Sequence, residues 1–221
     1  MKIIFLAYRP WALNVVKRFK KHFKKKNILI IEKNSQVKKL LRFKRKKPLI
    51  FVIGWSYILN KNIVNNLECY GVHPSNLPSF KGGSPIQNQI LKNIIKSKVT
   101  LYKLSEKIDS GKIYLKKNLS LKGDTISYIF NNLENATFKL IVDFYKKYPR
   151  IKPIKINHIK ETYFKRRQPH QSRILIEDFR KKSLKFIYNK IRCLTYPYPN
   201  AYIQDKKGNK LYFEKVKYIK K

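Results

Sequence analysis

The chain of 221 residues is long enough for one large domain, or for one domain with a small appendage, and either can bury a real core. With 43% hydrophobic and 14% aromatic residues it is no disordered polyelectrolyte, although 52 basic against 12 acidic residues give a formal net charge of +40. That charge suggests nucleic acid or an anionic membrane, yet ten of the basic residues are arginine and forty-two lysine; this is the bias of an AT-rich coding sequence on a solvated surface, so the field should attract anionic ligands without making nucleic acid the dedicated partner.

Residues 2 to 8 read as a buried strand. The run is too short for a leader peptide and is cut by Arg9, and no stretch approaches the length of a membrane span, so a cytoplasmic location is expected. Pro10 starts an amphipathic helix to about Lys24, with Ala12, Val15, Val16 and Phe19 on one face. Asn27 to Ile31 is a second strand, a basic helical segment follows, and Pro48 introduces the strand Leu49 to Ile53. Strands alternating with helices imply a Rossmann-like, mostly parallel sheet whose ligands sit beyond the carboxyl ends of its strands. The first turn, Ala7 to Ala12, contains no glycine and cannot cradle phosphate with its backbone, though Arg9 could meet one through its side chain. Gly54-Trp55-Ser56-Tyr57-Ile58-Leu59 follows the third strand, and by composition it is either a ligand wall or an ordinary helix start.

Cys69 to Pro85 begins as an apolar strand, ends it at His73, and continues with proline and glycine punctuation too dense for helix or sheet. A histidine held there can transfer protons or stabilise an oxyanion, and it can equally be a satisfied loop residue. Pro85 to about Ile95 reads as a helix, and Lys98 to Leu104 and Lys112 to Leu121 as strands flanking a tight turn that carries Asp109, one of the few carboxylates. Asp124 is expected to cap a long helix that runs to about Lys147 and ends before Pro149 and Pro153. A catalytic domain over 1–155 and a small extension over 156–221 are expected, the latter with a basic loop Phe164 to Pro169, a helix Ser183 to Leu194 and a β-hairpin around Asp205 to Asn209. Cys69 and Cys193 lie in apolar segments without metal-ligand spacing, so neither a disulfide framework nor a metal site is indicated.

The ordered set His73-Pro74-Ser75-Asn76-Leu77-Pro78, Lys81-Gly82-Gly83-Ser84-Pro85-Ile86-Gln87, Val99-Thr100-Leu101-Tyr102 and Ile108-Asp109-Ser110-Gly111-Lys112-Ile113 resembles the formyltransferases that use 10-formyltetrahydrofolate. The resemblance covers roughly residues 48 to 125, with weaker echoes to the C-terminus. It implies the formyltransferase fold, 10-formyltetrahydrofolate as co-substrate, no metal, and attack by a primary amine on the formyl carbon. His73 is then the donor to the oxygen that becomes negative, Asp109 its partner and acceptor of the amine's proton, and Tyr57, Ile58 and Leu59 the wall around the pterin. Two departures matter. The glycine-rich phosphate loop of the glycinamide ribonucleotide enzymes is missing, which argues against that member. The asparagine that the family places two residues before its histidine is Gly71 here, and Asn76 is expected to supply the missing amide.

Arg166-Arg167-x-Pro169, Ile191-Arg192 and Tyr198-Pro199-x-Ala201 resemble the extension of the amino-sugar formyltransferases. The leading expectation is therefore formylation of a nucleotide-linked deoxyamino sugar, by a protein that need not be monomeric; a homodimer is left open. Formylation of methionyl-tRNA is supported by the charge and opposed by the short stretch after Lys160. A non-catalytic RNA- or folate-binding protein on this scaffold is the third reading, for which Gly71 and the charge speak.

Overall fold

The computed structural model describes residues 1–156 and 160–219, apart from the side chain of Lys46. Of the extension expected from residue 156 on, 157–159 and 220–221 lie outside the described residues.

Short apolar runs form the centre of a six-stranded sheet: β1 (Ile3–Leu6), β2 (Ile28–Ile31), β3 (Leu49–Ile53), β4 (Glu68–His73), β6 (Lys96–Lys103) and β7 (Ile113–Ser120), in the order β2-β1-β3-β4-β6-β7. The first four are parallel, and β6 and β7 run antiparallel to their neighbours, so the α/β fold and the mostly parallel sheet match the sequence expectation. Parallel strands covered on both faces need apolar residues at every position, and β1 and β3 are buried throughout. Ile3 and Phe5 enter one core layer with Phe51, Phe19 and Phe144; Ile4 and Leu6 enter the other with Leu40, Ile50 and Ile63. Helix α1 (Pro10–His22) and helix α4 (Ile126–Lys147) cover the first face, while a 3₁₀ segment (Asn34–Lys46) and the short helix α2 (Lys61–Asn66) lie over the second. Phe5 stacks on Phe51 with centroids 5.2 Å apart, and truncating either ring would cost about 3–5 kcal/mol.

The basic segment after β2 is helical as expected, and its type is 3₁₀. Helix α3 (Pro85–Leu91) stops short of Ile95 because Asn93, in the left-handed region at φ 59°, ends it. Thr125, not Asp124, caps α4: its extended backbone lets Oγ1 accept from the Tyr128 N–H, whereas the Asp124 carboxylate is taken by the Tyr188 hydroxyl.

The C-terminal stretch adds β8 (Tyr163–Phe164), α5 (Ile176–Lys181), α6 (Leu184–Arg192) capped by Ser183, and the hairpin of β9 (Ala201–Gln204) and β10 (Lys210–Phe213). It is stitched to the body by polar contacts. Buried Arg192 donates to the carbonyls of Leu121 and Gly123 at 2.8 and 2.9 Å, and the Ile126 N–H donates to Thr195 Oγ1 at 3.0 Å. A two-residue strand β5 (Lys81–Gly82) pairs in parallel with β8, which carries the stretch after residue 160 directly onto the loop that follows His73. Among the described residues no helix is long and apolar enough to cross a membrane, and no group of three His, Cys, Asp or Glu could hold a metal ion.

Candidate active site

His73 is the last residue of β4, so its backbone is fixed by pairing to β3 on one side and to Thr100 of β6 on the other. The loop beyond it folds back. Ser75 Oγ donates to the Ser79 carbonyl, and Phe80 adopts φ 59°, which turns its carbonyl onto the His73 ring with Nε2 2.7 Å away. A carbonyl only accepts, so Nε2 carries a hydrogen in this arrangement. Nδ1 faces Asp109 Oδ2 at 3.4 Å, and both side chains are about nine-tenths buried.

Asp109 reaches that position from the turn between β6 and β7, where it sits in the left-handed region at φ 49°, a conformation that aspartate tolerates better than most residues. Oδ2 also accepts the Gly82 N–H at 2.8 Å, and Oδ1 accepts the Tyr102 hydroxyl at 2.6 Å. Lys81, buried, joins three segments: its ammonium donates to Ser110 Oγ at 2.9 Å and to Glu161 Oε1 at 2.7 Å. Gly82 and Gly83 make this junction possible. A Cβ at Gly82, whose φ is +89°, would strike the Phe164 carbonyl, and one at Gly83 would strike the Arg166 backbone, so only glycine lets the two chains close to this distance.

Two cavities of about 440 Å³ each meet at His73, which lines both. The first is bounded by Arg9, Trp11, Arg166, Arg167 and Tyr198; among the described residues its walls include no lysine and no carboxylate. Arg9 is steadied by donation to Ser56 Oγ at 3.0 Å, and burial pulls the Arg167 guanidinium below its usual range while leaving it a cation. The second cavity is bounded by Tyr57, Ile58, Leu59, Leu104 and Ile108 beside Tyr102 and Asp109. Trp55 and Arg166 line both, and the buried Trp55 indole N–H has no partner among the described residues, an unspent donor in the shared wall. The volume is that of an ordinary small-molecule site.

The structure therefore brings together His73, Asp109 and the stretch Tyr57 to Leu59. That stretch is not a helix start, because α2 begins only at Lys61 with Asn60 as its cap. It leaves Tyr57 and Ile58 exposed on the cavity, with Ile58 77% accessible. Asn76 is a correction. Its carboxamide oxygen accepts from Lys116 Nζ at 2.7 Å, on the side of β7, and the residue lines neither cavity, so it does not supply the amide absent at Gly71. Sequence reasoning missed Tyr102, Lys81 and Glu161. A lysine so buried that it needs two partners leaves no mark in a chain this rich in lysine. Cys69 and Cys193 are buried free thiols, each pushed up to about 12 chiefly by burial, which leaves no thiolate nucleophile at neutral pH.

Residues 2–144 match a protein family described as formyl transferase. The structure is similar to that of a methionyl-tRNA formyltransferase from Clostridium thermocellum, with 31% identity, a TM-score of 0.81 and coverage of 98% of this chain and 99% of that one. It also superposes on a sugar N-formyltransferase from Shewanella with TM-score 0.79, covering 100% of this chain and 99% of that one; at 17% identity this likeness speaks to the fold alone. Among curated proteins, a bifunctional polymyxin resistance protein of Wigglesworthia glossinidia brevipalpis is 31% identical over 214 residues, 90% of this chain and 32% of that protein. The chain spans 35% to 55% of the length of several methionyl-tRNA formyltransferases that it also matches.

Proposed function

The chain belongs to the formyl transferase family, and from that premise we propose that it is an enzyme moving a formyl group from 10-formyltetrahydrofolate to the primary amine of a nucleotide-linked deoxyamino sugar. One observation carries the acceptor. In a chain with forty-two lysines and ten arginines, the first cavity is lined by Arg9, Arg166 and Arg167, with neither lysine nor carboxylate among its described residues. The planar guanidinium matches phosphate oxygens two at a time, which an ammonium cannot do. Trp11 and Tyr198 add aromatic faces on which a nucleobase or sugar ring can lie.

The second cavity fits the co-substrate: an apolar wall from Tyr57 to Leu59 suits a flat heterocycle, and the free Trp55 N–H and the backbone at the end of β3 offer polar partners to its edge. 10-Formyltetrahydrofolate, when bound there, supplies a formyl group carried on nitrogen. His73, where the cavities meet, gives its N–H to the formyl oxygen as that oxygen gains negative charge; a charged acceptor outcompetes the neutral Phe80 carbonyl that holds the N–H at rest. Asp109 fixes the ring and accepts the proton that the amine gives up. Residues 1–155 act as the catalytic domain, and the extension from 156 completes the acceptor side with Arg166 and Arg167. A cytoplasmic location follows from both substrates.

Methionyl-tRNA is the second reading, favoured by the 31% identity to the Clostridium thermocellum structure along nearly the whole of both chains and by the net charge of +40. One experiment separates them: incubation with 10-formyltetrahydrofolate and a panel of nucleotide-linked 3-amino and 4-amino sugars and methionyl-tRNA, read by mass spectrometry. Formyl addition to a sugar is expected. Addition to methionyl-tRNA alone selects the second reading, and no transfer, with RNA or folate binding only, overturns both.

A further inference from the structure

The side chain missing at position 71 leaves no hole. Gly71 and Tyr102 are direct partners in the antiparallel pairing of β4 with β6, two pairs along from His73 and Thr100 with Val72 and Leu101 between, so all four positions face the same way. A Cβ built at Gly71 would lie 2.8 Å from two carbons of the Tyr102 ring and 2.8 Å from a Leu104 methyl. The tyrosine ring already fills the space into which an asparagine at 71 would point. The hydroxyl of Tyr102 then donates to Asp109 Oδ1 at 2.6 Å, while Oδ2 accepts from Gly82 and faces His73.

We propose that Tyr102 is a positioning residue that occupies the room of the side chain absent at 71, and that by fixing Asp109 through its hydroxyl it holds His73 in place for the reaction. The inference rests on the formyl-transfer reading above. Two independent features support it. Tyr102 is 5% exposed, and burial, reinforced by the neighbouring Asp109 carboxylate, pushes its phenol well above the usual range, so it stays a neutral donor at any assay pH. Asp109 needs such a donor: it is held in a left-handed backbone conformation, and with Gly82 alone only one of its oxygens would be fixed. A ring present only for packing would not need its hydroxyl.

The test uses Tyr102→Phe, which keeps the ring and deletes the oxygen. With the acceptor found in the panel, kcat should fall roughly 10-fold or more while the KM values for folate and amine stay within about 2-fold, as for loss of a hydrogen bond to a charged group. An active parent and a Tyr102→Phe protein with kcat within about 2-fold of it would overturn the proposal. A parent that formylates nothing refutes the functional reading instead, and the exchange of room is still decided by melting temperatures. Gly71→Asn should lower Tm clearly in the parent and hardly at all on a Tyr102→Ala background, where the double variant should also exceed Tyr102→Ala in kcat. Equal losses of Tm in both backgrounds would show that the two positions do not share their space.

Discussion

One cavity has Arg9 and Arg167 to itself; the other, of equal volume, presents Tyr57, Ile58 and Leu59 with Asp109 beside them, and Arg166 stands in the wall of both. The first selects by charge and is assembled from distant parts of the chain, the turn after β1 and the stretch that follows β8. The second selects by shape and is built from strand ends and turns that lie between β3 and β7. His73 lines both, which is the position the proposed transfer between two bound molecules requires. The difference teaches that the arginine-lined cavity depends on how the C-terminal stretch docks, through β5–β8 and Lys81, whereas the apolar one depends more on the sheet and takes only Tyr163 and Arg166 from that stretch.

The comparison breaks most severely at the shared residue. His73→Ala and Asp109→Ala should each lower kcat about 10²–10³-fold, the range for loss of an oxyanion donor, with both KM values little changed. The double variant should cost little more than either single, since the two act as a unit; multiplicative losses in kcat would separate them.

Next in size, Arg9→Ala or Arg167→Ala, at residues that line the first cavity and not the second, should raise the KM for the acceptor roughly 10-fold or more and leave the folate KM unchanged, in keeping with loss of a charge-assisted hydrogen bond. Arg9→Lys should recover little, because the ammonium cannot reproduce the fork. Equal changes in both KM values would mean that the cavities do not divide the work.

A smaller change sharpens the other side. Ile58→Ser removes exposed apolar wall, so Tm should hold while the folate KM rises about 5-fold, the scale of a few buried methylenes. An acceptor KM that moves with it would place Ile58 in the wrong cavity.

The least effect belongs to the docking contact. The Lys81 ammonium, by hydrogen bond and charge, holds the Glu161 carboxyl below its ordinary value of 4.5. A depressed carboxylate stabilises the fold above its unfolded value and loses that contribution as pH falls through the folded one. The Tm of the parent should therefore exceed that of Glu161→Gln slightly at neutral pH and converge with it below about pH 4.5, a small margin because Glu161 is exposed. A gap that does not shrink at all as the pH is lowered below 4.5 would assign the contact to packing instead.

His73 and Asp109 were legible because their signals are local. An apolar strand that ends in histidine before Pro74, and a carboxylate in a tight turn between two apolar runs, are written in consecutive residues, and so are β1, β3, α1 and α4. The 3₁₀ type of the helical segment after β2 was not legible, since its amphipathic spacing fits an α-helix as well; nor was the cap at Thr125, because Asp124 beside it has the same cap chemistry and only its bond to Tyr188 removes it from the choice. Asn76 shows the limit most clearly. Its position in the loop suits an oxyanion donor, but the direction of its amide is set by Lys116, forty residues on in a strand the loop crosses.

By itself the sequence determined the parallel sheet, its two cores and the loop and turn that carry His73 and Asp109, because strand period, helix face and turn chemistry act between near neighbours. Tertiary structure alone decided that Gly82 and Gly83 admit the Arg166 segment to the site, that Lys81 binds it there, and that Tyr102 occupies the room above Gly71. These are contacts between residues far apart in the chain, and which side chain fills a given space is fixed only once the backbones have closed around it.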